Sequence, residues 1–322
     1  MAAPERPTPT LATKDAITSL DSNAAAPSPV PDTILRTAYR KIDISMLTIA
    51  YGAMAVIAMG GKNLPATLIM NADKGTGIKH QLGNLSGEQF AWLISVANVS
   101  HFFLEGPSTI IFKRVGPRKY MTVVLLSWGM ISMCQAATHN FIGLLMCRVM
   151  LGIVECGIGS SILFGFTFYY PAKQMTMRVA GLASFLQLSG ILSSALAFAA
   201  TRLNGVGGLA GWRWLMLFEG GLGVLVGLVC MIAYPRFPES ASFLTKEQRE
   251  AVLAALPPTQ PHADDGFWDW PEVKKLLSDP LTYLFFSIVI FHAWSGPLYT
   301  PGADTSHFPV MAESANTILL DL

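Results

Sequence analysis

Residues 104–120 read LEGPSTIIFKRVGPRKY and lie between two long apolar runs, about residues 90–112 and 120–137. A helix of about 20 residues crosses a hydrocarbon core about 30 Å thick, so each run predicts a transmembrane helix. The stretch between them contains four cations, Lys113, Arg114, Arg118 and Lys119. Short loops rich in lysine and arginine face the cytoplasm, so this loop fixes the orientation of both helices.

The composition of the 322 residues is typical of a membrane protein. Hydrophobic residues make up 52% of the chain and charged residues 13%, whereas soluble domains carry about 25% charged residues. The formal net charge of +1 gives no indication of a nucleic-acid partner. The four cysteines lie in apolar runs without metal-ligand spacing, which indicates buried thiols. Motifs for hydrolysis or nucleotide binding are absent, so we predict no enzyme activity, metal or cofactor.

The hydropathy pattern divides the chain into four parts. Residues 1–42 are rich in Ala, Pro, Ser and Thr and predict a disordered cytoplasmic tail. Residues 43–235 contain six apolar spans, with both ends cytoplasmic. Residues 236–280 are polar and predict a cytoplasmic loop with short amphipathic helices, the first of which begins with a capping box at Thr245. Residues 281–322 predict a seventh transmembrane helix followed by a tail outside the membrane.

Ionisable residues inside the apolar spans are candidates for function, because inserting each one costs roughly 2.5–3.5 kcal/mol. Arg148 and Glu155 lie seven residues apart on one face of the fourth span. A cation and a carboxylate placed in this way can bind an anion and relay a proton. The alternative is a static ion pair between helices that fixes their packing. Lys62 in the first span and His101 in the second are further candidates for substrate binding or coupling.

Two other carboxylates have different interpretations. Glu105 lies near the cytoplasmic end of the second span, and we expect it to belong to a gating loop. The expected gating residues are Glu105, Lys113, Arg114, Gly116 and Arg118. The alternative is that this basic loop only sets the topology. Glu219, near the outer end of the sixth span, is interpreted as a structural partner of Arg213.

Several motifs occur together and in a fixed order over residues 40–300. EGPS followed by KRVGPR resembles the loop-two-three signature of the major facilitator superfamily, in the form used by fungal anion:cation symporters. Three other stretches are similar to motifs of that group, and the closest likeness within it is to allantoate-permease-like transporters. They are CRVMLGIVE at 147–155, GWRW at 211–214 with FEG at 218–220, and PESASFLTKEQR at 238–249.

This resemblance implies an all-α membrane protein with the N-terminal six-helix bundle of a major facilitator fold plus a partial seventh transmembrane helix. It implies a multi-pass, proton-coupled secondary transporter of a small organic anion or metabolite, possessing a pore between two six-helix halves and working by alternating access. A fungal secondary metabolite is one candidate substrate. The implied partners are the lipid bilayer, the organic anion and protons, and the plasma membrane is the expected location.

Two features depart from the family pattern. The family usually has an acidic residue before the basic one near the end of its first helix, whereas this chain has Gly61 before Lys62. The chain accounts for about seven helices, and the fold needs about twelve. The alternative function is therefore a truncated, non-transporting membrane protein, or a half-transporter that needs a partner. We expect the 322-residue chain alone not to transport, and to misfold, be degraded or self-associate.

Overall fold

The structure is a computed structural model that describes residues 32–71, 75–257, 270–284 and 287. In these residues the chain forms helices and short connections and no strand, so the predicted all-α class is confirmed. The predicted tail before residue 32, most of the predicted seventh span and the segment after it lie outside the described residues. The chain divides into two compact units, Met1–Asp265 and Gly266–Leu322.

The first span is one continuous helix made of three segments. These are α1 at Asp32–Ile42, a π-helical segment at Asp43–Leu47 and α2 at Thr48–Ile69. The last 11 residues of the predicted disordered tail are therefore helical instead. Ala38 and Ile42 lie four residues apart on one face of α1, and both are fully buried in the hydrophobic core. Burial of this face stabilises the helix. The polar composition of the surrounding residues indicates disorder and does not reveal this apolar face.

The second and third spans flank the basic loop. A short helix, α3 at Ile78–Gln81, precedes α4 at Gly87–Val115, which is followed by α5 at Pro117–Gln135. Gly116 alone separates α4 from α5, and its φ of +92° lies in a region that favours glycine. Pro117 then occupies the first helical position of α5, where the absence of an N–H costs nothing.

The fourth span is broken in the middle. It consists of α6 at Phe141–Glu155 and α7 at Ile158–Thr167. At the break, a Cβ atom on Gly157 would overlap Ser108 Oγ of α4. The absence of a side chain at Gly157 therefore lets α4 pass directly against the break.

The remaining described helices of the first unit complete the bundle. They are α8 at Ala172–Arg202, α9 at Gly211–Ala233 and α10 at Lys246–Ala255, with 3-10 turns at Val206–Gly208 and Pro238–Ser240. The capping box predicted at Thr245 is confirmed, because its hydroxyl accepts from Gln248 N and the Gln248 side chain accepts from Thr245 N.

In the second unit the structure describes helix α11 at Trp270–Ser278. The chain continues helically after Asp279, and the side chains of Thr282 and Tyr283 donate hydrogen bonds of 2.8 Å to the carbonyls of Leu276 and Leu277.

Four described helical stretches are both long and apolar enough to cross a membrane. They are Thr33–Leu68, Phe141–Thr167, Ala172–Arg202 and Gly211–Ala233. Helices α4 and α5 have the required length, 29 and 19 residues, but they include the cations of the basic loop. Large apolar side chains face outward along these helices, and Ile232 is 74% exposed. Such a surface is suited to lipid and not to water.

Helices α5 and α9 approach each other backbone to backbone. A Cβ atom on Gly220 of α9 would lie 2.6 Å from the carbonyl oxygen of Gly129 on α5. A Cβ atom on Gly129 would lie 2.6 Å from Val224 N. Small residues allow this close contact, which is a common way of packing helices in membranes. The contact brings Glu219 of α9 beside Trp128 of α5.

Candidate functional site

A cavity of about 110 Å³ lies among the helices of the first unit. Helix α6 contributes both Arg148 and Glu155 to its wall, as their spacing predicted. The other polar lining side chains come from α5 and α9: Trp128, Ser132, Gln135 and Glu219. Apolar residues and glycines of α2, α4 and α6 complete the wall: Gly60, Gly61, Leu64, Ile94, Ala97 and Leu151.

Arg148 is the cation of this cavity. Its side chain is buried, with only 7% of the residue exposed, and its nearest charged neighbours are Glu219 and Glu155. Its Nε has no hydrogen-bond partner among the residues that the structure describes. Leaving a buried donor unsatisfied costs about 1–3 kcal/mol, and more for a charged group. A carboxylate entering the cavity would supply the missing acceptor.

Glu155 is held by Trp128. The indole Nε1 of Trp128 donates a 2.8 Å hydrogen bond to Oε2 of Glu155. Trp128 is itself buried between helices, so the direction of its N–H is fixed by packing. Glu155 is half-buried in the cavity wall.

Glu219 also lies at this cavity, and the prediction that it pairs with Arg213 is wrong. Its neighbours are Asn63, Arg148 and Glu155. Arg213 instead donates to the Ala136 carbonyl. Six positions along a helix correspond to about 9 Å and to a different face, so the two α9 side chains diverge. Spacing within one helix does not indicate which face of α9 meets α6.

Gly60 makes room for this arrangement. A Cβ atom at Gly60 would lie 2.7 Å from Cζ2 of Trp128 and 2.9 Å from Oε1 of Glu219. Helix α2 can therefore lie against both side chains only because Gly60 lacks a side chain.

Lys62 and His101 are the other two residues predicted to bind substrate or to couple protons. No contact among the described residues brings either of them to the cavity. Lys62 is exposed, and its Nζ donates to the Leu186 carbonyl at 3.1 Å and to Ser189 Oγ at 3.2 Å, both on α8. It is not among the residues lining the cavity. His101 lies within α4, but its side chain is outside the described part of the structure.

Part of the predicted gating loop lines a second cavity of about 340 Å³. Arg114, Gly116 and Arg118 contribute to its wall, and Arg118 Nε donates to the carbonyl of Tyr234 at the end of α9. Glu105 and Lys113 are not among its lining residues. Glu105 is exposed on α4. The structure thus joins the basic loop to the end of α9, and the gating role stays a prediction.

Sequence reasoning missed a polar cluster that joins the first span to α8. Arg178 Nε and Nη2 donate to the two oxygens of Asp43 at 3.0 and 3.1 Å, and Tyr170 donates to Asp43 Oδ1 at 2.7 Å. Burial, followed by the Asp43 charge, raises the pKa of Tyr170, so its hydroxyl stays protonated and donates. The sequence signal available for this cluster is that Asp43 and Arg178 carry opposite charges at the same end of two spans.

Comparisons with known proteins agree with this architecture. The Major Facilitator Superfamily pattern matches residues 44–318. An uncharacterized transporter of Schizosaccharomyces pombe is 30% identical over 264 residues, which are 82% of this chain and 52% of that protein. The MFS transporter prlL of a fungal species is 26% identical, over 72% of this chain and 46% of its own length. A putative tartrate transporter of Agrobacterium vitis is 29% identical, over 59% and 40%.

A bacterial homologue of the human lysosomal transporter Spinster, in an inward-facing and unoccupied conformation, superposes with a TM-score of 0.47 at 17% identity. The superposition covers 66% of this chain and 45% of that one. The chain spans about half the length of the relatives it matches. Because the family pattern matches most of the residues, this chain is a multi-pass membrane protein that belongs to the Major Facilitator Superfamily, a family of transporters and not of enzymes.

Proposed function

We propose that this protein is a secondary transporter that couples protons to the movement of a small organic anion across the plasma membrane. The observation that carries the proposal is Arg148, a buried cation with an unsatisfied Nε at the wall of a small cavity. We place the protein with the allantoate-permease-like members of the fungal anion:cation symporter group, on the motifs quoted above.

Arg148 is proposed to bind the carboxylate of the substrate. A guanidinium presents parallel N–H groups that fit the two oxygens of a carboxylate, and such charge-assisted bonds are about twice as strong as neutral ones. Burial strengthens the attraction further, because little water screens it. The carboxylates Glu155 and Glu219 lie near Arg148 and would repel an anion bound there unless a proton is taken up with it. This repulsion supports a link between anion binding and proton uptake.

The facing wall of the pore is proposed to come from a second set of helices. In this family the substrate site lies between two halves that rock against each other. The residues that match the relatives correspond to about half of each relative.

Binding and transport can be tested with L-tartrate, since two relatives carry the name putative tartrate transporter. We expect tartrate to raise the thermal unfolding midpoint of the purified chain, and Arg148→Lys to abolish this stabilisation, because an ammonium cannot bind a carboxylate with two parallel bonds. Arg202→Lys, the same change at the end of α8, is the matched control.

Uptake of labelled tartrate by vesicles under an imposed proton gradient then separates a transporter from a non-transporting protein. Saturable, gradient-dependent uptake that Arg148→Lys removes would support the proposal and would contradict the expectation that the 322-residue chain alone does not transport. Full uptake by Arg148→Lys at equal protein content would show that Arg148 has only a structural role.

A further inference from the structure

The two carboxylates of the cavity lie in different surroundings. Glu155 is half-buried and accepts a hydrogen bond from Trp128. Glu219 is only 1% exposed, and its Oε1 has no hydrogen-bond partner within the described ranges. The ionised form of a buried carboxylate needs donors for its oxygens, and protonation removes most of the cost when a donor is missing. Glu219 is therefore the carboxylate with more to gain from a proton.

The charged groups that face Glu219 come from one helix. Helix α9 packs against α5, α2 and α8, and Arg148 and Glu155 of α6 reach it across the cavity. Helix α2 presents the neutral carboxamide of Asn63, while Lys62 on the same helix reaches to α8. Helix α5 presents Trp128, which carries no charge. Arg148 is thus the one cation among the described side chains that line the cavity.

We propose that Glu219 is the proton-carrying carboxylate of this site, and that it takes up a proton when an anion occupies Arg148. This inference rests on the anion-binding role proposed above. With the cavity empty, Arg148 stabilises the ionised form of Glu219. A substrate carboxylate competes for the same guanidinium, so Glu219 loses its counter-charge and binds a proton.

This exchange keeps the charge of the cavity constant. The one carboxylate that binds Arg148 brings one negative charge to the cavity, and the proton on Glu219 removes one. Anion binding alone, or protonation alone, would change the net charge of a site with little water. An uncompensated charge in such a site is costly. Linkage then requires that anion binding favours protonation and that protonation favours anion binding by the same factor. Glu155 keeps its hydrogen bond from Trp128 throughout.

The proton on Glu219 can be measured without any transport assay. We expect the purified chain in phosphatidylcholine membranes to show an infrared carbonyl band from a buried, protonated carboxylic acid that disappears as the pH rises. Glu219→Gln should lose this band and Glu155→Gln should keep it. Arg148→Gln should move its disappearance to higher pH, because the cation that favours the ionised form is gone. A band that survives in Glu219→Gln, or that Arg148→Gln leaves at the same pH, would overturn the proposal.

A second measurement needs no substitution at Glu219. Dicyclohexylcarbodiimide modifies protonated carboxyls in apolar surroundings, and mass spectrometry locates the modified residue. We expect modification at Glu219 of the unaltered chain, increasing as the pH falls. Modification at Glu155 instead would contradict the assignment. Added tartrate should strengthen the infrared band; a band that titrates with pH but ignores every small carboxylate would refute the anion-binding role of the proposed function while leaving the proton on Glu219 in place.

Discussion

The cavity depends on a few side chains whose neighbours are set by close contacts between helices. Gly60 is the clearest case, because Trp128 Cζ2 and Glu219 Oε1 lie 2.7 and 2.9 Å from where its Cβ would be. The adjacent Gly61 has nothing within 4 Å of that position. Both glycines line the cavity, yet only one is sterically required.

We expect Gly60→Ala to lower the free energy of unfolding by about 1–3 kcal/mol, the usual cost of overpacking. Gly61→Ala is the matched control, and we expect it to be neutral or slightly stabilising, because alanine favours a helix over glycine by about 1 kcal/mol. Thermal unfolding of both variants in the same detergent provides the measurement. Equal unfolding midpoints would mean that the contact between α2 and Glu219 is looser than described.

For individual residues, the sequence predicted part of the site. The spacing of Arg148 and Glu155 placed both on one helical face, and the structure has both at the cavity. Glu219 was assigned to the wrong partner, because intrahelical spacing does not tell which neighbouring helix a face meets. That information depends on the glycine contacts between α5 and α9, where Cβ atoms would come within 2.6 Å of the facing backbone. Lys62 shows the same limit, since its long side chain reaches α8.

Among the helices, the start of the first span is the feature that departs most from expectation. The predicted boundary at residue 43 marks the π-helical segment Asp43–Leu47 in the middle of a longer helix. Asp43 there binds Arg178 of α8 through two hydrogen bonds, and the Arg178 guanidinium lies 3.9 Å from the ring centroid of Tyr170. Composition could not reveal this cluster, because Asp43 lies far along the sequence from Tyr170 and Arg178. The turn between α4 and α5 was predictable, since Gly116 and Pro117 encode it locally.

We expect the Asp43–Arg178 pair to stabilise the packing of the first span against α8. A double-mutant cycle with Asp43→Asn, Arg178→Gln and the combined variant should give a coupling free energy of about 1 kcal/mol. The pair is bidentate but partly exposed, which limits its strength. Unfolding midpoints of the four proteins, measured under one set of conditions, supply the cycle. Strictly additive effects would show that the contact contributes no stability.

The whole molecule has a polarity across the membrane that follows from its loops. Cations gather at one end of the helices, at the basic loop, at Arg178 and at Arg236. The opposite end carries the glycine-rich turn Val206–Gly208 and the start of α9, where Trp214 Nε1 donates to the carbonyl of Val206 at 3.1 Å. Aromatic anchors of this kind are typical of a membrane interface.

We therefore expect the end that contains Arg236 and α10 to be cytoplasmic and the turn at Val206 to be external. In a variant whose native cysteines are replaced, which matters because Cys134 is exposed, Val206→Cys should react with a membrane-impermeant maleimide in intact cells. Ser242→Cys, which is also exposed in the structure, should react only after the cells are permeabilised, which also shows that the thiol is accessible. The reverse pattern would invert the topology and place the cavity cation Arg148 nearer the cytoplasmic side. Labelling of both sites in intact cells would mean that the helices do not form a sealed membrane bundle.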